Sequence, residues 1–120
     1  FFADPSGLSS ENVSTARELM TLSRDLFAHE PHIIDITRMS DYYSEENGWI
    51  NNNPFIDDSS YRGGKHGFTY DANRTAVAFF DEGINGGSTR TLGYVLLGSD
   101  DLSSDMEILR TYVWEHTTYQ

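Results

Sequence analysis

The segment TAVAFF, Thr75 to Phe80, is almost continuously apolar, the pattern of a β-strand covered on both faces. It sits in a strand candidate running from Arg74 to Asp81. Two more candidates flank it, Gly63 to Tyr70 and Thr89 to Leu97. Short polar turns at Asp71-Ala72-Asn73 and around Ile84-Asn85-Gly86-Gly87 allow all three to pair antiparallel as a meander.

Helical patterns lie on either side of the meander. Thr15 and Glu18 have capping-box spacing, which predicts a helix start at Thr15. Ala16, Leu19, Met20, Leu26 and Phe27 then recur at the spacing of one buried stripe. Pro31 suits the first position of a second short helix through Ile33, Ile34 and Met39, where its missing N–H is not needed. A closing helix is predicted from Ser104, capped with Glu107, to about His116, with Met106, Leu109, Tyr112 and Val113 facing the sheet.

Between helices and strands lies DYYSEENGWINNNPFIDDSSYR, residues 41 to 62, rich in Asn, Asp, Ser and Gly. It reads as an irregular loop with at most a short irregular hairpin around Asn47-Gly48. The expected class is α+β: two N-terminal helices (1 to 40), the loop (41 to 62), three antiparallel strands (63 to 99) and a C-terminal helix on the sheet (100 to 120). No repeat or low-complexity tract interrupts this order.

Composition narrows the function. The 120 residues suffice for one small domain with a modest core. The net charge is −11, from 19 acidic residues against one Lys and seven Arg, which opposes nonspecific nucleic-acid binding and an anionic membrane surface. The sequence holds no transmembrane segment, since no apolar run approaches the roughly 18 residues a bilayer requires. With no Cys, disulfides, thiolate zinc sites and a cysteine nucleophile are excluded. The start, FFADPSGLSS, has neither an initiating Met nor a signal-peptide layout and reads as a cut.

The only lysine, Lys65, stands in GGKHGFT between Gly63-Gly64 and His66-Gly67. Glycines without Cβ atoms let another molecule approach the backbone, and a lone cation on such a strand suits a carboxylate. An equally physical reading makes the glycines a bulge and Lys65 a solvated guard on an edge strand.

GGKHGFT resembles the Lys-Thr-Gly strand motif of the penicillin-recognising serine enzymes, usually GGKTGFT. DPSGLSSENVSTARELMTLSRDLF resembles the part of D-alanyl-D-alanine carboxypeptidases where an Asp-x-x-Gly-Leu turn leads to an Asn-x-Ser-Thr-Ala helix start. ANRTAVAFFDE and TRTLGYVLLGSDDLSSDMEILRTYVWEH resemble their following strands and terminal helix. The likeness keeps the family's order over most of the chain and is loose only in residues 41 to 62.

The resemblance implies a partial β-lactamase/transpeptidase-like domain, the C-terminal part of a longer one. A Ser-x-x-Lys nucleophile motif and a Ser-x-Asn loop would then lie upstream of Phe1. Arg62, not Ser, stands three residues before Lys65, so the chain holds no Ser-x-x-Lys and no catalytic nucleophile of its own. Ser10-Glu11-Asn12 spells Ser-x-Asn but falls downstream of the family position; Asn12 reads as an organiser of the turn before the helix.

For the residues present, the resemblance assigns substrate-binding roles. Lys65 would place its ammonium near the substrate carboxylate, and Gly67 would leave room for substrate along the strand. The Phe68 backbone N–H would be one oxyanion-hole donor. His66 departs from the family's Thr or Ser, whose hydroxyl binds the terminal carboxylate; an imidazole donates one such bond and gains charge when protonated.

Other signals are weaker. His29-Glu30-Pro31-His32 suggests a metal, but Pro31 breaks the helix that would align both imidazoles, and a solvated helix junction fits better. Asp57-Asp58 and Asp100-Asp101 lack calcium-loop spacing and read as turn and helix-start acids. Tyr42, Tyr43 and Trp49 would line a groove for glycan or, more simply, form a small apolar cluster beneath the loop.

The expectation is a segment of a serine-type D-alanyl-D-alanine carboxypeptidase. It would act on the D-Ala-D-Ala terminus of peptidoglycan stem peptides, recognise β-lactams once joined to the N-terminal remainder of the domain, and need no metal or organic cofactor. Its setting would be extracytoplasmic and bacterial. The competing expectation is a degenerate, non-catalytic carboxylate-binding or peptide-binding module of the same fold.

Overall fold

In the computed structural model, described over residues 1–83 and 88–117, the apolar run occupies the centre of a three-stranded sheet. The strands are β3 (Tyr61–Thr69), β4 (Asn73–Gly83) and β5 (Thr89–Ser99), antiparallel in the order β3-β4-β5. Before them come α1 (Ala16–His29), α2 (Pro31–Thr37), β1 (Asp41–Tyr43) and β2 (Gly48–Ile50); α3 (Leu102–His116) follows. The chain is thus α+β, as the resemblance implied. The stretch Ile84-Asn85-Gly86-Gly87 lies outside the described residues.

Each face of the sheet has its own cover. On one side Ala76, Ala78, Phe80 and Tyr94 pack with Phe55, Tyr61, Leu102 and Met106 as the main core, under α3. On the other, the Phe79 ring lies 4.6 Å from Phe27 of α1. Gly93, paired with Phe79, leaves the space that the Met20 thioether occupies: a Cβ there would come within 3.0 Å of its sulfur. This second cover is thin. No residue of α1 is fully buried, and Leu22, Ile36 and Met39 remain exposed.

Local signals place both N-terminal helices. The Thr15 hydroxyl accepts from the Glu18 N–H at 3.2 Å, and the Glu18 carboxylate accepts from the Thr15 N–H at 3.0 Å, completing the capping box. Pro31 opens α2, which stops at Thr37 and so does not include Met39. Ahead of α1, the Asn12 carbonyl oxygen accepts from the Ala3 N–H at 2.7 Å, and its amide donates to Asp4 at 3.1 Å. Asn12 organises the turn.

Four of the expectations need correction here. Residues 41 to 62 hold a regular hairpin, Asp41↔Ile50, Tyr42↔Trp49 and Tyr43↔Gly48, and β3 already begins at Tyr61. Tyr42, Tyr43 and Trp49 are 54%, 67% and 55% exposed, so they form no buried cluster: the other described residues leave all three rings open. The last helix starts two residues earlier than predicted, because Asp101 accepts from the Ser103 and Ser104 N–H groups at 3.0 and 3.1 Å and outcompetes Ser104 as cap. On that helix Met106, Leu109 and Val113 pack inward, whereas Tyr112 is exposed and stacks on His116.

One polar network fastens α3 to the sheet. Arg110 donates to Glu82 of β4 and to Asp58 at 2.6 Å each, and to the Ser60 hydroxyl at 3.0 Å. Its guanidinium lies over the Phe80 ring, 4.1 Å from the centroid.

Candidate substrate-binding strand and cleft

The glycines before Lys65 serve the backbone. Gly63 and Gly64 have φ of +132° and +157°, at a bulge where the pairing of β3 with β4 shifts between Tyr61 and Gly63. A Cβ on Gly64 would collide with the Val77 carbonyl oxygen, and one on Gly63 would come within 2.7 Å of the Ile34 carbonyl oxygen. Here the bulge reading is right. Gly67 is different: a Cβ there would meet nothing nearer than the Thr75 hydroxyl at 4.0 Å. No contact within the described chain demands glycine at that position.

Beyond the bulge, Lys65, His66, Gly67 and Phe68 pair in register with Val77, Ala76, Thr75 and Arg74. Directly paired residues share a face, and faces alternate along a strand. Lys65 and Gly67 therefore belong to the face of Val77, the α1 side, and His66 and Phe68 to the face of Ala76, the α3 side. Two residues adjacent in sequence serve opposite faces of one strand. Among the described residues β3 is also an edge strand, with one side unpaired.

Lys65 is solvent-exposed, and its ammonium donates to the His66 carbonyl. His66 is half-buried. Burial, and then the neighbouring Lys65 charge, push its imidazole below the usual histidine range, disfavouring its charged form.

On the His66 side the strand borders an open cleft of about 670 Å³, whose lining includes Asn52, His66, Phe68, Arg74, Asp100 and Leu102. The Arg74 guanidinium lies 5.4 Å from the centre of the Phe68 ring, and its Nη1 donates to the Asp100 carbonyl at 3.1 Å. The Asp100 carboxylate accepts from the Asn73 amide at 2.7 Å. Sequence reasoning singled out His66 and Phe68 but missed Arg74 and Asn52. For Arg74 a signal existed: the short turn after Thr69 forces it opposite Phe68. Asn52 reaches the cleft only through the path of the loop, which no pattern encodes.

The sites judged weak stay apart from this one. His29 contacts Asp25 at 3.0 Å and His32 contacts Glu30 at 3.5 Å, so each imidazole has its own carboxylate neighbour. Among the described residues no group of three His, Cys, Asp or Glu could hold a metal. No described helix is long and apolar enough to cross a membrane.

Comparison with known proteins agrees with the motif and its setting. No curated protein matches the chain. The profile of the family described as D-alanyl-D-alanine carboxypeptidase matches residues 1–96, from the Asp4 turn through the β3 motif and into β5. The chain belongs to the D-alanyl-D-alanine carboxypeptidase family.

Proposed function

We propose that this chain supplies the substrate-binding strand of a serine-type D-alanyl-D-alanine carboxypeptidase acting on peptidoglycan stem peptides. The observation that carries the proposal is GGKHGFT on an edge strand, with Lys65 exposed just past a glycine bulge that the fold itself requires. The thin cover over the α1 side, with Leu22, Ile36 and Met39 exposed, supports a partner layer formed by the remainder of the domain.

In this reading a serine outside the chain attacks the carbonyl carbon of the penultimate D-alanine. The peptide C–N bond breaks, the terminal D-alanine leaves with a proton on its nitrogen, and water then hydrolyses the acyl-serine. The Phe68 N–H donates to the oxyanion of the tetrahedral intermediate, a contribution of roughly 3 kcal/mol for such a donor. Lys65 provides positive charge beside the serine loop. Gly67 keeps the strand edge open to the substrate backbone. The setting is extracytoplasmic in a bacterium, and the isolated chain is catalytically silent for want of Ser-x-x-Lys.

His66 favours a second reading, a non-catalytic carboxylate-binding relative, because a half-buried imidazole, its charged form disfavoured by burial, replaces the family's hydroxyl. Fluorescent-penicillin labelling of the native source, with peptide identification of each labelled band, separates the two. Peptides of this chain in a labelled band well above 13.6 kDa establish an acylatable enzyme. Their presence only in unlabelled bands removes the enzyme reading and leaves the binding module.

A further inference from the structure

The face on which Lys65 stands depends on an interruption earlier in its own strand. Tyr61 pairs with Phe80 and packs in the core on the α3 side, whereas Gly63 pairs with Phe79, on the α1 side. In an unbroken strand two residues so spaced share a face. Arg62 is the extra residue of the bulge, without a register partner on β4, and every later position is inverted by it. A regular β3 continued from Tyr61 would send Lys65 to the α3 side and His66 to the α1 side. Tyr61 cannot turn over to compensate: its ring is buried beside Phe55 and Phe80, and its hydroxyl accepts from the Asn53 amide at 3.0 Å.

A bulge takes its backbone groups out of the ladder, so something beyond the strand pair must satisfy and hold them. Here the Gly64 N–H donates to the Thr37 hydroxyl at 2.9 Å, and that hydroxyl donates to the Ile34 carbonyl at 2.7 Å. Thr37 is itself fixed from the loop side, where the Asn51 amide donates to the Thr37 and Met39 carbonyls at 2.9 Å each. The fit is close: a Cβ on Gly63 would come within 2.7 Å of the Ile34 side chain and the Thr37 hydroxyl. The Arg62 side chain adds little, since its contact with Asp81 is 3.5 Å long and partly exposed.

We propose that Thr37 is a positioning residue for the substrate-binding strand: by accepting from the Gly64 N–H it fixes the bulge at Arg62 and so holds Lys65 on the α1 face. The functional consequence rests on the substrate reading above; the geometric one does not. Without the hydroxyl the bulged strand competes with arrangements that no longer hold Lys65 beside Val77. Only the fraction with Lys65 on the α1 face is competent, and apparent reactivity falls in proportion to that fraction.

The test compares Thr37→Val and Thr37→Ser in the longest natural polypeptide that carries this chain, at a temperature where thermal unfolding shows both to be folded. NMR follows hydrogen exchange at the Gly64 amide and the contacts between the Lys65 and Val77 side chains. The rate of acylation by a fluorescent penicillin follows the site. Thr37→Val is expected to speed Gly64 exchange about tenfold or more and to weaken or double the Lys65–Val77 contacts. It should also slow acylation about threefold or more, while Thr37→Ser, which keeps the hydroxyl, stays within about twofold of the parent throughout. A folded Thr37→Val with parental Gly64 exchange and Lys65–Val77 contacts overturns the proposal. So do altered contacts with an unchanged acylation rate in a protein whose parent is labelled. An unprotected Gly64 amide in the parent overturns it even if Thr37→Val does not fold. If penicillin labels neither parent nor variants, the enzyme reading falls, and the Lys65–Val77 contacts alone decide whether Thr37 positions the strand.

Discussion

The backbone N–H of Gly64 donates to the Thr37 hydroxyl at 2.9 Å, joining the end of α2 to the residue before Lys65. The same hydroxyl donates to the Ile34 carbonyl at 2.7 Å, so one side chain closes α2 and holds the bulge. Thr37→Val keeps the shape and removes both bonds, leaving a part-buried N–H unsatisfied. The expected cost is about 1–2 kcal/mol, read from chemical denaturation. An unchanged midpoint would show that the bulge stands without this tie.

The glycines of the motif should divide into two kinds. Gly64→Ala forces a Cβ onto the Val77 carbonyl in a backbone conformation suited to glycine, and should destabilise by roughly 3 kcal/mol or more. Gly67→Ala meets open space and should leave unfolding within about 0.5 kcal/mol of the parent. If substrate runs along this edge, Gly67→Ala should nonetheless lower peptide affinity or penicillin acylation. Normal stability with normal acylation would remove Gly67 from the site.

Arg110 should be the costliest polar truncation in the chain. Its side chain is 24% exposed, Glu82 18% and Asp58 35%, so the network is shielded without being fully buried. Arg110→Met keeps the contact with Phe80 but strands two carboxylates. The expected loss is roughly 2–3 kcal/mol, short of the value for a wholly buried pair. A paired Arg110→Met, Glu82→Gln variant should recover part of it.

Acid should weaken the N-terminal turn. The Ser6 side chain, then the Ser9 and Ser6 backbone N–H groups and Asn12, hold the Asp4 carboxyl down to about 2, against the mild opposing effect of its surroundings. A carboxylate lowered by folding stabilises fully above its unfolded value near 4 and loses that contribution as pH falls towards 2. NMR signals of residues 3 to 12 should therefore change over that window, and Asp4→Asn should abolish the change.

His66 should titrate below the usual histidine value near 6.5, because burial and then Lys65 disfavour its charged form. The neutral form stabilises the fold above 6.5, and the contribution falls away as pH drops through the folded value. Lys65→Met should move the titration part of the way back. A midpoint above 6.5 in the free protein would mean that an acid of the cleft, Asp100 or Asp101, pairs with it instead.

What the sequence determined by itself was whatever a single turn or a single strand could decide. Thr15 and Glu18 complete their capping box within one helical turn, Pro31 suits only a helix start, and TAVAFF announces a strand covered twice. GGKHGFT carried the resemblance to the family's Lys-Thr-Gly strand on the same local terms. Where two local signals competed, the outcome depended on surroundings: Asp101 and Ser104 were both competent caps, and Asp101 prevailed where β5 delivers the chain to α3. The exposure of Tyr42, Tyr43 and Trp49 depended on whether anything folds over their hairpin, which no property of the hairpin encodes. The cleft is likewise tertiary. Asp100 meets Arg74 across 26 residues, through the register of three strands, and that register set a guanidinium over the Phe68 ring. Side-chain type and spacing specify local hydrogen bonds, but the company a residue keeps across a sheet is settled only when the strands pair.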